Sequence, residues 1–353
     1  MSSTMLEGRD SDEGLGRVAY FKTTLLQSRD SERIRTTSRG CASHHSKTKR
    51  PQLTAFIALA LTGTVLATTP LSTDPPYKFK VVRQEAGVRL YGNGVDWVQE
   101  LDLTAGVSLQ LFDPRHVQDW GQGADESGNH PQYDTGVSVS IEPQPIQVHW
   151  QDLEERWGDR AFSVTNGQFF GSQPLQLAFP LKADGIIYSG GYAGLGEYPG
   201  EKKMLLIDGQ QAQILPFPEV GYPENPLFSP IPNLLVGLDE WADKGIKRAV
   251  GRTFIGVGDR NQDGTSETLW IFNSPAATQL RAARVLRALG ADGVMMLDGG
   301  GSTQLLVQGV ERLRSRDRSP RAIPHSLGVI LPRRSIGDGP AETPGPHHRE
   351  SGR

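Results

Sequence analysis

Val294-Met295-Met296-Leu297-Asp298-Gly299-Gly300-Gly301-Ser302 is the stretch on which the reading of the fold turns. Four uncharged apolar residues make a strand short enough to be wholly buried, and it runs straight into an aspartate and a glycine triplet. Successive glycines open backbone conformations closed to other residues, so several N–H groups can face one point. Such a nest suits an oxyanion or a phosphate, and an aspartate beside it can serve as acid, base or ligand-orienting group. The plainer alternative is a glycine-rich turn in which Asp298 caps backbone amides. The segment is no P-loop, because no lysine follows the glycines, and no nucleophile elbow, because Ser302 lacks a glycine two residues on.

Working outward, the preceding residues 275–289 predict a helix, with Ser274 as N-cap, Pro275 at the first position and Gly290 as the stop. Arg281, Arg284 and Arg287 form one stripe, with Leu280, Ala283, Leu286 and Leu289 facing away from it. Residues 77–82, 88–91, 95–103, 108–112 and 161–165 read as strands, and 253–257 with 268–272 as a strand pair joined by a polar loop. Residues 204–207 and 212–215 predict a hairpin, the Asp208-Gly209 pair favouring a type I′ turn. A short helix is expected over 152–157, a long polar loop over 117–144, and an irregular, proline-rich loop over 216–232. Many strands with few helices give an α+β class: one domain of mixed, largely antiparallel sheet with a few packed helices.

Composition agrees. The 353 residues carry a formal net charge of −3, with 22% charged and 37% hydrophobic residues, as in a globular chain rather than a disordered one. Gly 41 and Pro 24 favour turns and short strands over long helices. The single Cys41 excludes an intrachain disulfide framework and a cysteine-rich zinc site. Near-neutral charge argues against a nucleic-acid partner; the basic run 312–321 is diluted by Glu311 and Asp317 and has no interleaved aromatics, so it reads as a solvated hairpin rim or an active-site flap.

The organisation along the chain is expected to be uneven. Residues 1–50 show no apolar period and read as a disordered extension, or as sequence upstream of the true start. Residues 51–67 follow the basic run 47–50, carry no charge, and end in small residues, which is the pattern of a secretory signal, or of an anchor if uncut. Any membrane contact would run through this segment alone, and the protein is expected to be secreted, periplasmic or held at the cell surface. Residues 68–76 read as a linker, 77–332 as the folded domain and 333–353 as a disordered tail. Residues 68–353 hold 27 Lys/Arg against 34 Asp/Glu, so the exported part is mildly acidic.

Three further segments carry chemistry. Val164-Thr165-Asn166-Gly167-Gln168-Phe169-Phe170 ends an apolar strand, and its Asn-Gly pair could equally be a plain hairpin turn. Arg252-Thr253-Phe254-Ile255-Gly256 opens a strand with a guanidinium, the group best shaped to hold a phosphate, or else with a rim salt bridge. Arg321–Val329 places His325 between a proline and an apolar strand, where a structural role is as natural as a functional one. Taken in order, NGQFF, RTFIG, the helix, LDGGGSTQL and RAIPHSLGV resemble the phosphodiester glycosidase family over residues 161–331.

The resemblance implies hydrolysis of a sugar-1-phosphodiester bond on a glycan, releasing free sugar and a phosphomonoester. It implies Asp298 as the catalytic group, with Asn166, Gly167, Arg252, Thr253, Gly299, Gly300, Gly301, Ser302, Thr303 and His325 binding substrate. Two departures stand out: Gln168 where the family usually has a small residue, expected to narrow the pocket or alter the sugar contact, and His325 where asparagine is commoner. Glycosidases generally pair two carboxylates, for which Asp184 and Glu197 are candidates beside Asp298. The competing functions are a non-catalytic glycan-binding or polysaccharide-assembly module, for which Gln168 speaks, and a general phosphodiesterase. No cofactor is expected unless it is calcium. Asp259, Asn261 and Asp263 before Gly264 open like a calcium loop, but Trp270 stands where its closing acid belongs, and an acidic turn is the simpler account.

Overall fold

The computed structural model describes residues 78–119, 139–171, 175–193, 197–220 and 224–333. The extension 1–50, the apolar segment 51–67, the linker 68–76, most of the loop 117–144 and the tail beyond residue 333 lie outside the described residues. In chain order the strands are β1 (Lys80–Glu85), β2 (Val88–Gly92), β3 (Trp97–Asp102), β4 (Ser108–Gln110), β5 (Val117–Asp119) and β6 (Ser140–Ile141). After helix α1 (Ile146–Trp157) come β7 (Ala161–Asn166), β8 (Pro180–Ala183), β9 (Ile186–Gly190), β10 (Lys202–Asp208), β11 (Gln211–Pro216), β12 (Asn233–Leu238), β13 (Val250–Gly258) and β14 (Thr268–Ala277). Helix α2 (Gln279–Ala288) leads to β15 (Gly293–Met296), β16 (Leu305–Val307), β17 (Val310–Leu313) and β18 (Ser326–Ile330).

The strands build an eleven-stranded sheet whose main path runs β1-β2-β3-β14-β13-β15-β12-β10-β11, with β8 and β9 branching from β12. A second sheet has the order β17-β16-β7-β18-β4, and β5 pairs with β6. Every pairing among the described strands is antiparallel. With two helices beside them, the α+β class holds.

Side-chain alternation fixes the layers. On β14, Leu269 and Ile271 join the core shared with Phe162, Leu305 and Leu327 of the small sheet, whereas Trp270 and Phe272 face the core formed with Ala282, Val285 and Leu286 of α2. On the far side of the small sheet, Ile146, Trp150 and Leu153 of α1 pack on Val164, Leu306 and Ile330. The order is α1, small sheet, large sheet, α2. No helix among the described residues is long and apolar enough to cross a membrane.

Several expectations are corrected. β14 runs on through Ser274 and Pro275, and the helix starts at Gln279 with Thr278 as its cap, its hydroxyl accepting from the Arg281 N–H at 3.2 Å. Proline is tolerated in β14 because β14 itself bulges here: Pro275 and Ala276 oppose the single Gly251 between the Arg252–Ser274 and Val250–Ala277 pairs. The buried face of α2 is Gln279, Ala282, Ala283, Val285 and Leu286, shifted from the expected leucine stripe. The 204–215 hairpin forms, but only Gly209 of its two central residues has positive φ (58°), which is the type II′ pattern rather than I′. The short helix expected at 152–157 extends back to Ile146, and strands β8, β9 and β12 arise from segments the periodicity left unassigned.

Candidate active site

β7, β13 and β15 end side by side where the two sheets meet, and the motifs noted in the sequence fall at this joint. Asn166, the last residue of β7, lies buried at its centre. Its Nδ2 donates to the Asp298 carbonyl at 2.8 Å, and its Oδ1 accepts from Thr253 Oγ1 at 2.7 Å and from the Gln304 N–H at 3.3 Å. Thr253 Oγ1 accepts in turn from Asn273 Nδ2 at 3.2 Å, and that amide also donates to Thr165 Oγ1 at 2.8 Å. The knot ties β7, β13 and β14 to the residues that flank β15 and β16, and of its amide and hydroxyl groups only the Asn273 Oδ1 is buried without a partner among the described residues.

The Asn166-Gly167 pair is not a hairpin turn, since β7 pairs with β16 and β18, both remote in sequence. Gly167 is required for another reason: a side-chain carbon there would collide with the His325 ring. That ring is buried, accepting from the Gln168 N–H at Nδ1 (2.8 Å) and donating from Nε2 to the Leu111 carbonyl at 2.5 Å. Burial holds it neutral and pushes its pKa down to about 4. His325 thus pins the first motif in place. Gln168 points away from the glycine corner; its side chain donates to the Pro180 carbonyl and accepts from the Phe179 N–H, both at 3.0 Å. The expected narrowing of the pocket by Gln168 is therefore corrected: the residue fills a gap behind the joint.

Arg252 is the main correction. Its backbone does approach the glycines, for Gly299 has no room for a side chain beside the Gly251 carbonyl. The guanidinium, however, is buried and donates to the carbonyls of Lys244, Gly245, Arg248 and Ala277 at 3.1, 2.9, 3.4 and 3.3 Å. Burial and the Arg248 charge push its pKa below the ordinary guanidinium value. It braces the 244–248 loop from beneath rather than reaching over the nest, because unpaired carbonyls of that loop are nearer than any anion site.

Asp298 stands just beyond the end of β15, separated from it by Leu297, and stays partly exposed. Burial pushes its carboxyl above the usual range, against the pull of the Ser302 hydroxyl, the Gly299 N–H, Arg321 and Lys244. Ser302 Oγ is itself buried without a partner at full bonding geometry, so it is poised beside the carboxylate and not committed to it. Gly300 has φ +62° and opens a short 3-10 turn that uses the N–H groups of Ser302 and Thr303. The N–H groups of Gly300 and Gly301 make no hydrogen bond among the described residues, so two donors of the expected nest remain available. Thr303 is buried against Gly251, and its Oγ1, like that of Ser302, has no hydrogen-bond partner among the described residues.

Sequence reasoning missed Lys244, Tyr192 and Tyr198 at this corner, whereas a flap over 312–321 and Glu197 as a carboxylate candidate are among its expectations. Lys244 Nζ lies 4.6 Å from the Tyr198 ring centroid and 5.3 Å from that of Phe169, and makes no ion pair among the described residues. The 314–321 segment folds over the glycines, Ser315 Oγ donating to the Gly301 carbonyl at 2.5 Å and Asp317 lying so close that Gly301 can bear no side chain. Asp317 accepts from Arg321 Nε at 2.7 Å. Tyr192, half-exposed, has its hydroxyl pKa raised by burial and then by Glu197, Tyr198 and Asp298. Asp184 is not here; it sits in the β8–β9 turn at φ 51° with its N–H bonded to Asn233. The one available signal was the cluster of lysines and arginine at 244–248, a charge run usually read as a solvated loop. A surface hollow of about 590 Å³ lined by Arg89, Glu100, Arg260 and Glu267 shares no residue with this corner, and its size gives it no claim to the chemistry gathered there.

The expected calcium residues form a tight loop in which Asp259 accepts from the N–H groups of Asp263 (3.1 Å) and Gly264 (2.6 Å). They lie at the far end of the β13–β14 hairpin from Asp298.

Comparisons bear on this arrangement. No curated protein matches the chain. The chain is similar to the catalytic domain of zebrafish N-acetylglucosamine-1-phosphodiester alpha-N-acetylglucosaminidase, at 16% identity over 72% of this chain and 82% of that one, with a TM-score of 0.44. It is similar also to a hypothetical protein from Synechocystis, at 14% identity over 72% of this chain and 61% of that one, with a TM-score of 0.39. Residues 203–330 match the family described as phosphodiester glycosidase, a span that begins after the NGQFF segment and includes the RTFIG, LDGGGSTQL and RAIPHSLGV motifs. The chain therefore carries, over residues 203–330, a phosphodiester-glycosidase-like domain, as its motifs indicate.

Proposed function

We propose that the protein hydrolyses a sugar-1-phosphodiester bond on a surface or extracellular glycan. The observation that carries this reading is the unspent charge at the glycine corner: a carboxyl with a raised pKa, two available N–H donors, and Lys244 with no anionic partner. The phosphodiester would sit between Lys244, Arg321 and the Gly300 and Gly301 N–H groups. The sugar would lie along Tyr192, Tyr198 and Phe169, since pyranose C–H faces stack well on aromatic rings.

In the reaction, water adds its oxygen to the anomeric carbon while the bond from that carbon to the phosphate oxygen breaks, the electron pair leaving with the phosphate. Asp298 takes the proton from the water. A raised pKa makes it the stronger base, and a phosphate leaving group, already weakly basic, needs little acid assistance. The secretory pattern at 51–67 supports a substrate outside the cytoplasm. The alternative of a degraded, non-catalytic module rested on Gln168, whose side chain is bonded away from the corner.

Incubating the chain with sugar-1-phosphate diesters and assaying free sugar and phosphomonoester tests the proposal. Release of both by the wild type, and loss of both in Asp298→Asn, is expected. Binding without release would favour a glycan-binding module, and a phosphomonoester with the sugar still attached would favour a general phosphodiesterase.

A further inference from the structure

The tip of the β13–β14 hairpin takes no part in the chemistry around Asp298. It reads Asp259-Arg260-Asn261-Gln262-Asp263-Gly264-Thr265-Ser266-Glu267. Asp259, Asp263 and Glu267 each offer one carboxylate oxygen, and these lie within 4.8 Å of one another. Acidic turns of this kind are common on surfaces and need no ion. Glu267 is different: it is 7% exposed, and its Oε2 is buried without any hydrogen-bond partner. Only Oε1 is served, by the Arg260 N–H at 3.3 Å and Thr268 Oγ1 at 3.5 Å. The nearest guanidinium, that of Arg260, is turned to Glu100 instead. A buried carboxylate oxygen with neither donor nor cation bears its desolvation cost uncompensated.

We propose that this tip is a calcium site, with Asp259, Asp263 and Glu267 as its charged ligands. The hydrogen bonds that Asp259 and Asp263 accept from the loop do not exclude it, because each carboxylate oxygen keeps a second lone pair. The donor set is all oxygen, which selects a hard cation. An irregular loop that can contract around six to eight oxygens suits calcium better than magnesium, which demands a near-ideal octahedron. Asn261 and the Thr265 carbonyl stand at the third and seventh positions, from which a calcium loop draws further ligands. The closing acid, missing at the twelfth position, is supplied at the ninth by Glu267. Its main-chain carbonyl accepts from the Leu103 N–H at 3.0 Å, so an ion here would also fasten the hairpin tip to the end of β3.

The full chain, freed of metal with a chelator, is titrated with calcium chloride by calorimetry and melted with and without the ion. Binding of one calcium per chain with a dissociation constant between about 1 µM and 1 mM is expected, with a melting shift of several degrees and a smaller shift with magnesium. Asp263→Asn and Glu267→Gln should each weaken binding at least tenfold. Glu267→Gln removes the uncompensated charge, so its calcium-free melting point should equal or exceed that of the wild type, separating loss of the ligand from loss of the fold. Tryptophan-sensitised terbium emission should be quenched by calcium in the wild type and be absent from this site in both variants. No heat and no melting shift at 10 mM calcium, or an unchanged response in Glu267→Gln, overturns the proposal. Neither result bears on hydrolysis at Asp298.

Discussion

The knot around Asn166 and the corner around Asp298 touch, since the Asn166 amide donates to the Asp298 carbonyl, yet they spend their polar groups in opposite ways. In the knot each side chain is answered by others: Asn166 by Thr253 and Gln304, Asn273 by Thr165 and Thr253. At the corner the Gly300 and Gly301 N–H groups make no hydrogen bond and Lys244 no ion pair among the described residues, and the Asp298 carboxyl has only the Ser302 hydroxyl and the Gly299 N–H beside it. A saturated network rigidifies, whereas an unsaturated one stores the interactions that a transition state can collect. The contrast teaches that a polar motif beside an active site is not thereby part of it.

Substitutions should separate the two clusters, and the largest expected effect is on chemistry. Asp298→Asn should lower kcat/KM at least about 10³-fold while the melting point at pH 7 holds or rises. The sign follows from the raised pKa: the charged form is disfavoured in the folded state, so removing the charge relieves a cost present above the ordinary carboxylate pKa and absent below it. A melting point that falls sharply would move Asp298 into the structural cluster.

Next in size, Asn166→Ala should cost about 3 kcal/mol in urea unfolding, since it strands several buried partners, while activity per folded molecule stays within a few-fold. A large loss of kcat at full folding would return Asn166 to the substrate. Acid should act on the structural cluster in the same range. His325 and His149 are buried neutral, each pushed down to about 4. Each therefore contributes stability that is intact above the unfolded pKa of about 6.5 and is lost as pH falls towards 4. His325→Gln should flatten that part of the stability-against-pH curve.

Lys244→Met should raise KM or lower kcat about 10-fold to 100-fold with little change in stability, because its ammonium forms no ion pair among the described residues and rests only on the Tyr198 and Phe169 rings. Arg252→Met should do the reverse, destabilising through the four stranded carbonyls. The smallest effect sharpens the corner itself. Arg321 and Lys244 pull the Asp298 pKa down against the larger effect of burial, so Arg321→Met should shift the acid limb of kcat/KM to higher pH. A shift to lower pH would exclude Arg321 as a neighbour that stabilises the carboxylate.

Much was legible along the chain. The run 294–302 announced a buried strand ending in a glycine corner, and Gly290 stopped α2 as expected, at φ 109°. Its N-terminus was misread because Ser274-Pro275 is a strong local helix signal, whereas the bulge that lets Pro275 sit in a strand forms only against Gly251 of the partner strand, remote in sequence. The order of NGQFF, RTFIG and LDGGGSTQL likewise identified the residues that meet at the joint between the sheets. What each of them does there was another matter. Arg252 and Lys244 are both cations near one glycine corner, and nothing in their spacing tells which is consumed by backbone carbonyls and which is left over a pair of aromatic rings.

Sequence by itself determined the alternation of the strands, the glycine corner and the family likeness, because periodicity and backbone freedom are properties of neighbours in the chain. Only the tertiary structure decided which polar groups are satisfied: His325 against Gln168 and Leu111, Arg252 beneath the 244–248 loop, Asp298 between burial that raises its pKa and the cations that lower it. Hydrogen-bond partners at this joint lie up to 214 positions apart, as Leu111 and His325 do, and burial depends on all the layers at once. The balance of desolvation and pairing that sets each group's role is therefore fixed when the sheets close on one another, and not before.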